Sequence, residues 1–159
     1  MKRVGKLSGG LAIASLALGV IGSAAIAQTA TYGTLALEPG FTKVQASGST
    51  GGTMDLPRIA NRDRDGQRCL GYSRDYQVPD HLITIAPGTG PITLKVESGK
   101  DSTLLVRGPN QSTVRCGDDT ETSKDASISG SFEAGTYEVW VGSLQAGDRF
   151  RYRLTVEEQ

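Results

Sequence analysis

Arg149-Phe150-Arg151-Tyr152-Arg153-Leu154-Thr155-Val156 decides how this chain is read. Successive side chains of a β-strand point to opposite faces, so Phe150, Tyr152, Leu154 and Val156 share one face while three arginines and Thr155 share the other. The first face suits a core and the second suits water. A helical period would scatter both sets around the axis. Tyr137, Val139 and Val141 repeat the alternation one strand earlier, as do Ile92, Leu94 and Val96. Antiparallel sheets with one solvated face produce this pattern.

Working outward, the clearest strands are His81 to Ala86, Ile92 to Glu97, Thr103 to Arg107, Thr113 to Cys116, Ala126 to Phe132, Thr136 to Gly142 and Arg149 to Val156. Thr34 to Leu37, Lys43 to Ala46 and Gly52 to Leu56 are weaker runs of the same kind. Turn chemistry separates them at Pro87-Gly88-Thr89-Gly90-Pro91, Gly108-Pro109-Asn110 and Ala146-Gly147-Asp148. Short strands at even spacing predict an all-β fold, an antiparallel two-sheet jelly-roll-like β-sandwich. The segment from Pro57 to Pro79 breaks the rhythm with five arginines and three aspartates, and reads as a long loop.

The first 27 residues have a different character. Lys2, Arg3 and Lys6 precede an apolar run from Leu11 to Ile21, and Ala25-Ile26-Ala27 places small residues before Gln28. This is the form of a signal-peptide helix cut before Gln28, with an uncut membrane anchor as the alternative. The apolar run is short against the roughly 20 residues a span requires. The predicted organisation is a signal peptide over 1–27, N-terminal strands over 28–56 and a sandwich core over 57–159, the last two forming one domain. Export implies a secreted or periplasmic protein with no stable membrane span after cleavage.

Losing Lys2, Arg3 and Lys6 from 17 bases against 17 acids leaves a formal charge of −3, which argues against nucleic acid as the partner. Cys69 and Cys116 both lie beyond the leader, and in an oxidising compartment such a pair bridges; two free thiols or a metal pair are the alternatives.

The second half resembles the bacterial pre-peptidase C-terminal domain, especially stand-alone versions of cyanobacterial envelopes. The resemblance runs from about Gly71 to Glu157 and is carried by Pro79-Asp80-His81, Asp101-Ser102-Thr103-Leu104, Arg107-Gly108-Pro109-Asn110, Cys116-Gly117-Asp118-Asp119 and Gly135-Thr136-Tyr137-Glu138-Val139-Trp140-Val141-Gly142-Ser143. It implies a secreted jelly-roll-like sandwich and a non-catalytic accessory role.

Three groups of residues are candidates for chemistry. Asn61, Asp63 and Asp65, followed by Gly66, match the opening of a calcium loop, although the twelfth position is Tyr72 and Arg62 and Arg64 supply charge of their own; the other reading is a solvated turn. Asp118, Asp119 and Glu121, near Asp125, form a second acidic set that either holds a hard cation, with calcium the expected ion, or solubilises a hairpin. Trp140 falls on the strand face opposite Tyr137 and Val139. If the last strand pairs with its own, Arg151 or Arg153 lies across the indole; the alternative is an exposed platform for sugars, with the arginines contacting acidic groups.

No catalytic residues are assigned. His81 is the one histidine, so any triad needing an imidazole must use it, and the Gly-x-Ser-x-Gly and His-Glu-x-x-His signatures are missing from the sequence. A non-catalytic binding or structural module is therefore expected, meeting a protein or polysaccharide partner. An accessory subunit or inhibitor of a secreted protease is the alternative, with a hydrolase third.

Overall fold

The computed structural model describes residues 28–109, 111 and 113–159, so the expected signal peptide lies outside the described residues. The described residues form eleven strands: β1 (Thr34–Leu37), β2 (Lys43–Ser49), β3 (Met54–Asp55), β4 (Tyr72–Ser73), β5 (His81–Ile85), β6 (Ile92–Glu97), β7 (Ser102–Arg107), β8 (Val114–Gly117), β9 (Ser127–Gly130), β10 (Gly135–Ser143) and β11 (Arg151–Glu158). They build two sheets, as the alternation predicts.

The larger sheet runs β1-β5-β10-β7-β8, with β4 and β3 continuing beside the far end of β10. The smaller runs β2-β11-β6-β9. Pairing is antiparallel except that β1 runs parallel to β5, Thr34 opposite Leu82 and Leu37 opposite Ile85, which corrects the purely antiparallel expectation. The chain between β1 and β5 has room for that crossover because it passes through the opposite sheet as β2 and then through the long loop.

Inward side chains from both sheets meet in the main core, where Leu94, Leu104, Val106, Val139, Leu154 and Val156 are each at most 1 % exposed. The alternation on β11 places Tyr152, Leu154 and Val156 in the core and leaves Arg151 and Arg153 exposed, but Thr155, expected in water beside them, is buried between Gln45 and Glu97.

The larger sheet is buried on its second face as well. The stretch of chain between β3 and β4 opens with a short 3-10 turn (Leu56–Arg58) and lies across β7, β8 and β10. Cys69 bridges to Cys116 on β8, with Cα atoms 5.3 Å apart. Leu56, Cys69, Leu105 and Trp140 pack there as a second core, flanked by Ile59, Ala60 and Val114. The loop is thus a flap, pinned by a covalent bond and by the main-chain bonds Cys69 N to Asn61 O and Arg64 N to Val114 O. Closing a loop of 47 residues by a disulfide stabilises the fold by about 4 kcal/mol.

Candidate functional site

Trp140 is fully buried beneath the flap, which corrects the idea of an exposed platform. The strand pairing is corrected with it. β11 belongs to the other sheet, so Arg151 and Arg153 never approach the indole. The cation over Trp140 is Arg107 instead, its guanidinium carbon 5.0 Å from the ring. Arg107 Nε donates to Glu138 Oε2 at 2.6 Å, and Gln28 Nε2 donates to the other carboxylate oxygen. Arg107 and Glu138 are register partners on β7 and β10, so pairing of the strands builds the ion pair directly. Hydrogen-bonded on both oxygens, Glu138 can be buried at 4 % exposure.

Arg151 and Arg153 stay together on the solvated face of the smaller sheet, lining a shallow depression of about 500 Å³ with Ser47, Glu97 and Asp125. Arg153 Nη1 lies 3.8 Å from Glu97 Oε2. Asp125 turns away from the acidic set: its two oxygens accept the Ser98 and Gly99 N–H groups and hold the turn between β6 and β7.

In the flap, Asp63 is committed to the backbone. Its Oδ1 accepts the N–H groups of Asp65 at 2.9 Å and Gln67 at 2.8 Å, while Arg62 donates to Gly66 O and Arg64 rests 3.8 Å from Asp65. Asn61, through its carbonyl, receives Cys69 N–H. Asn61, Asp63 and Asp65 therefore serve a self-paired turn.

Carboxylates converge elsewhere. Asp118 and Asp119, beyond β8, are joined by Asp101, just before β7, with one oxygen from each within 4.8 Å of the others. Glu121 is outside the trio and Asp101 replaces it. Burial, and then the neighbouring charges of Asp119 and Asp101, push the Asp118 carboxyl up from its ordinary value, with the Asp119 N–H opposing. Lys124 Nζ, 3.7 Å from Asp101, supplies one compensating charge. The missing member was legible as hairpin register: Leu104 opposite Gly117 carries the residues flanking β7 and β8 to the same end of the pair.

His81 is completely buried, and its Nε2 shares a 2.9 Å hydrogen bond with the Tyr152 hydroxyl across the sandwich. Tyr32 lies against both rings, and Gly48 permits this approach, since a Cβ there would sit 2.3 Å from the Tyr152 oxygen. Burial lowers the His81 pKa from 6.5 to about 4, so the imidazole is neutral at neutral pH. Asp80 points the other way along the strand, as adjacent residues must, and accepts Val141 N–H at 2.8 Å. Burial raises its pKa to about 7 against that bond and the Arg74 charge.

Sequence reasoning passed over Arg115. It stands opposite Val106, whose side chain faces the main core, so a cation occupies an inward register position of β8. Its guanidinium carbon lies 4.2 Å from the centre of the Phe132 ring, Nη2 donates to Ser131 O, and Phe132 meets Tyr137 edge-on at 5.4 Å. With Arg64 from the flap, Pro109 and Glu133, these residues line a cleft of about 470 Å³ at one end of the sandwich. The sequence hides it: Val114 and Cys116 make the apolar phase of β8, so only the register with Val106 turns Arg115 inward.

No family model and no curated protein matches the chain. Among solved structures, PliG of Aeromonas hydrophila, a periplasmic inhibitor of g-type lysozyme, is similar with a TM-score of 0.46 and 17 % identity over 82 % of this chain and 100 % of that one.

Proposed function

We propose that this protein is an exported, non-catalytic binding module of the bacterial envelope or exterior, meeting a protein partner with its loop end and a polar sheet face. The observation that carries this reading is the fate of the lone imidazole. His81 is 0 % exposed, neutral and bonded to Tyr152 inside the sandwich, where it can neither reach a substrate nor take a proton from a surface nucleophile. What the fold offers to solvent is instead a covalently pinned flap, arginines on two separate faces and a cleft.

The Cys69–Cys116 bridge supports an oxidising destination. Resemblance to the pre-peptidase C-terminal domain supports an accessory role beside a secreted enzyme, and inhibition or recruitment of such an enzyme is the finer form of the proposal. The test is incubation of the oxidised protein with broad peptide, ester and glycoside substrates. No turnover is expected. Turnover that copurifies with the protein and is lost in a surface variant would overturn the reading.

A further inference from the structure

We propose that the cleft between Arg64 and Arg115 is a carboxylate-binding site that takes an acidic side chain of a protein partner. This rests on the non-catalytic binding reading and adds to it the place and the chemistry of recognition.

Arg115 is held in position without a direct ion-pair partner among the described residues. Its guanidinium is fixed by the Phe132 ring at 4.2 Å and by one hydrogen bond to Ser131 O, while its Nε has no hydrogen-bond partner. Arg107, on the flap face of the same sheet, does have an acid, Glu138 at 2.6 Å. Among the described residues Arg115 has no carboxylate within ion-pair distance, although Asp65, 3.8 Å from Arg64, and Glu133 line the same cleft. Arg64 is brought beside it by the flap, its backbone N–H bonded to Val114 O at 2.9 Å. Burial, and then the Arg64 charge, lower the Arg115 pKa, while Tyr137 and the more distant Asp65 and Asp63 oppose them without reversing the shift.

With Nε buried, the Nη1–Nη2 end of the planar guanidinium is the side that can offer a carboxylate two parallel N–H donors. The apolar walls, Pro109, Phe132 and Tyr137, suit the methylenes of an aspartate or glutamate. A sugar acid fits less well. Stacking of a pyranose needs an open aromatic face, and here Arg115 covers Phe132 while Tyr137 is 3 % exposed.

The test is calorimetric titration of the disulfide-intact protein with hexaglutamate, with an oligogalacturonate of equal length and with inorganic phosphate. Hexaglutamate is expected to bind, more weakly as salt rises, and Arg115→Gln is expected to weaken it about tenfold or more. Arg115→Lys should recover only part of the loss, because charge without the planar fork is insufficient. Should Arg115→Gln fail to fold, Arg64→Gln on the exposed flap should weaken binding about threefold to tenfold. The proposal is overturned by no binding of hexaglutamate, by binding indifferent to both arginines, or by tighter binding of oligogalacturonate or phosphate. Any of these leaves the non-catalytic reading intact, since that falls on turnover alone.

Discussion

Asp80 and His81 are adjacent in the chain and respond to pH in opposite senses. Asp80 has a folded pKa of about 7 against an ordinary 3.8, so its contribution to stability is complete below about pH 4 and is lost as pH rises through 7. His81 has a folded pKa of about 4 against 6.5, so its contribution is complete above about pH 6.5 and is lost as pH falls toward 4. Between those limits the two slopes oppose one another. Wild-type stability should therefore be nearly flat from pH 4 to 6.5 in chemical denaturation. Asp80→Asn keeps an acceptor for Val141 N–H but removes one slope, and its stability should fall as pH drops across the same window. Equal pH profiles for the two proteins would refute the assignment. Trp140→Ala should cost about 3 to 5 kcal/mol in a urea transition, as expected for emptying a fully buried indole site. Gly48→Ala should cost about 1 to 3 kcal/mol by driving the Tyr152 ring off His81.

The flap is the element whose character changed most between sequence and structure. Its polar composition, four arginines among them, reads as loop, and the apolar residues that matter, Leu56, Ile59 and Ala60, are too few to show a period. They act through position, lying over a sheet face that alternation assigns to solvent. That is why the strand carrying Trp140 was legible while its burial was not. The strands themselves were legible because their inward residues alternate strictly, and the two-residue β3 and β4 give no such signal. Pairing was less legible. Chain neighbours β10 and β11 invite a hairpin, yet they enter different sheets, and this moved Arg151 and Arg153 away from the tryptophan. Of the candidate site, the acidic trio was legible for Asp118 and Asp119, and Arg115 not at all, because its meaning lies in the register with Val106. Cys69→Ser with Cys116→Ser should lower stability by up to about 4 kcal/mol and shift the tryptophan fluorescence to the red as the flap loosens. An unshifted spectrum in the reduced or substituted protein would show that packing alone holds the flap down.

At the scale of the molecule, the sheet order makes assembly depend on β11. β11 is an interior strand, bonded to β2 on one side and β6 on the other, with Arg151 opposite Ser49 and Glu158 opposite Ile92. Deleting 151–159 should therefore abolish cooperative unfolding altogether, and a residual sharp thermal transition would contradict this. Most pairings join distant segments, so collapse must await loop closures that are slow to reward. Until β11 is available, β2 and β6 have nothing between them and the smaller sheet cannot be completed. A polypeptide wired in this way stays pliant through most of its synthesis and sets only when its eleventh strand slots home.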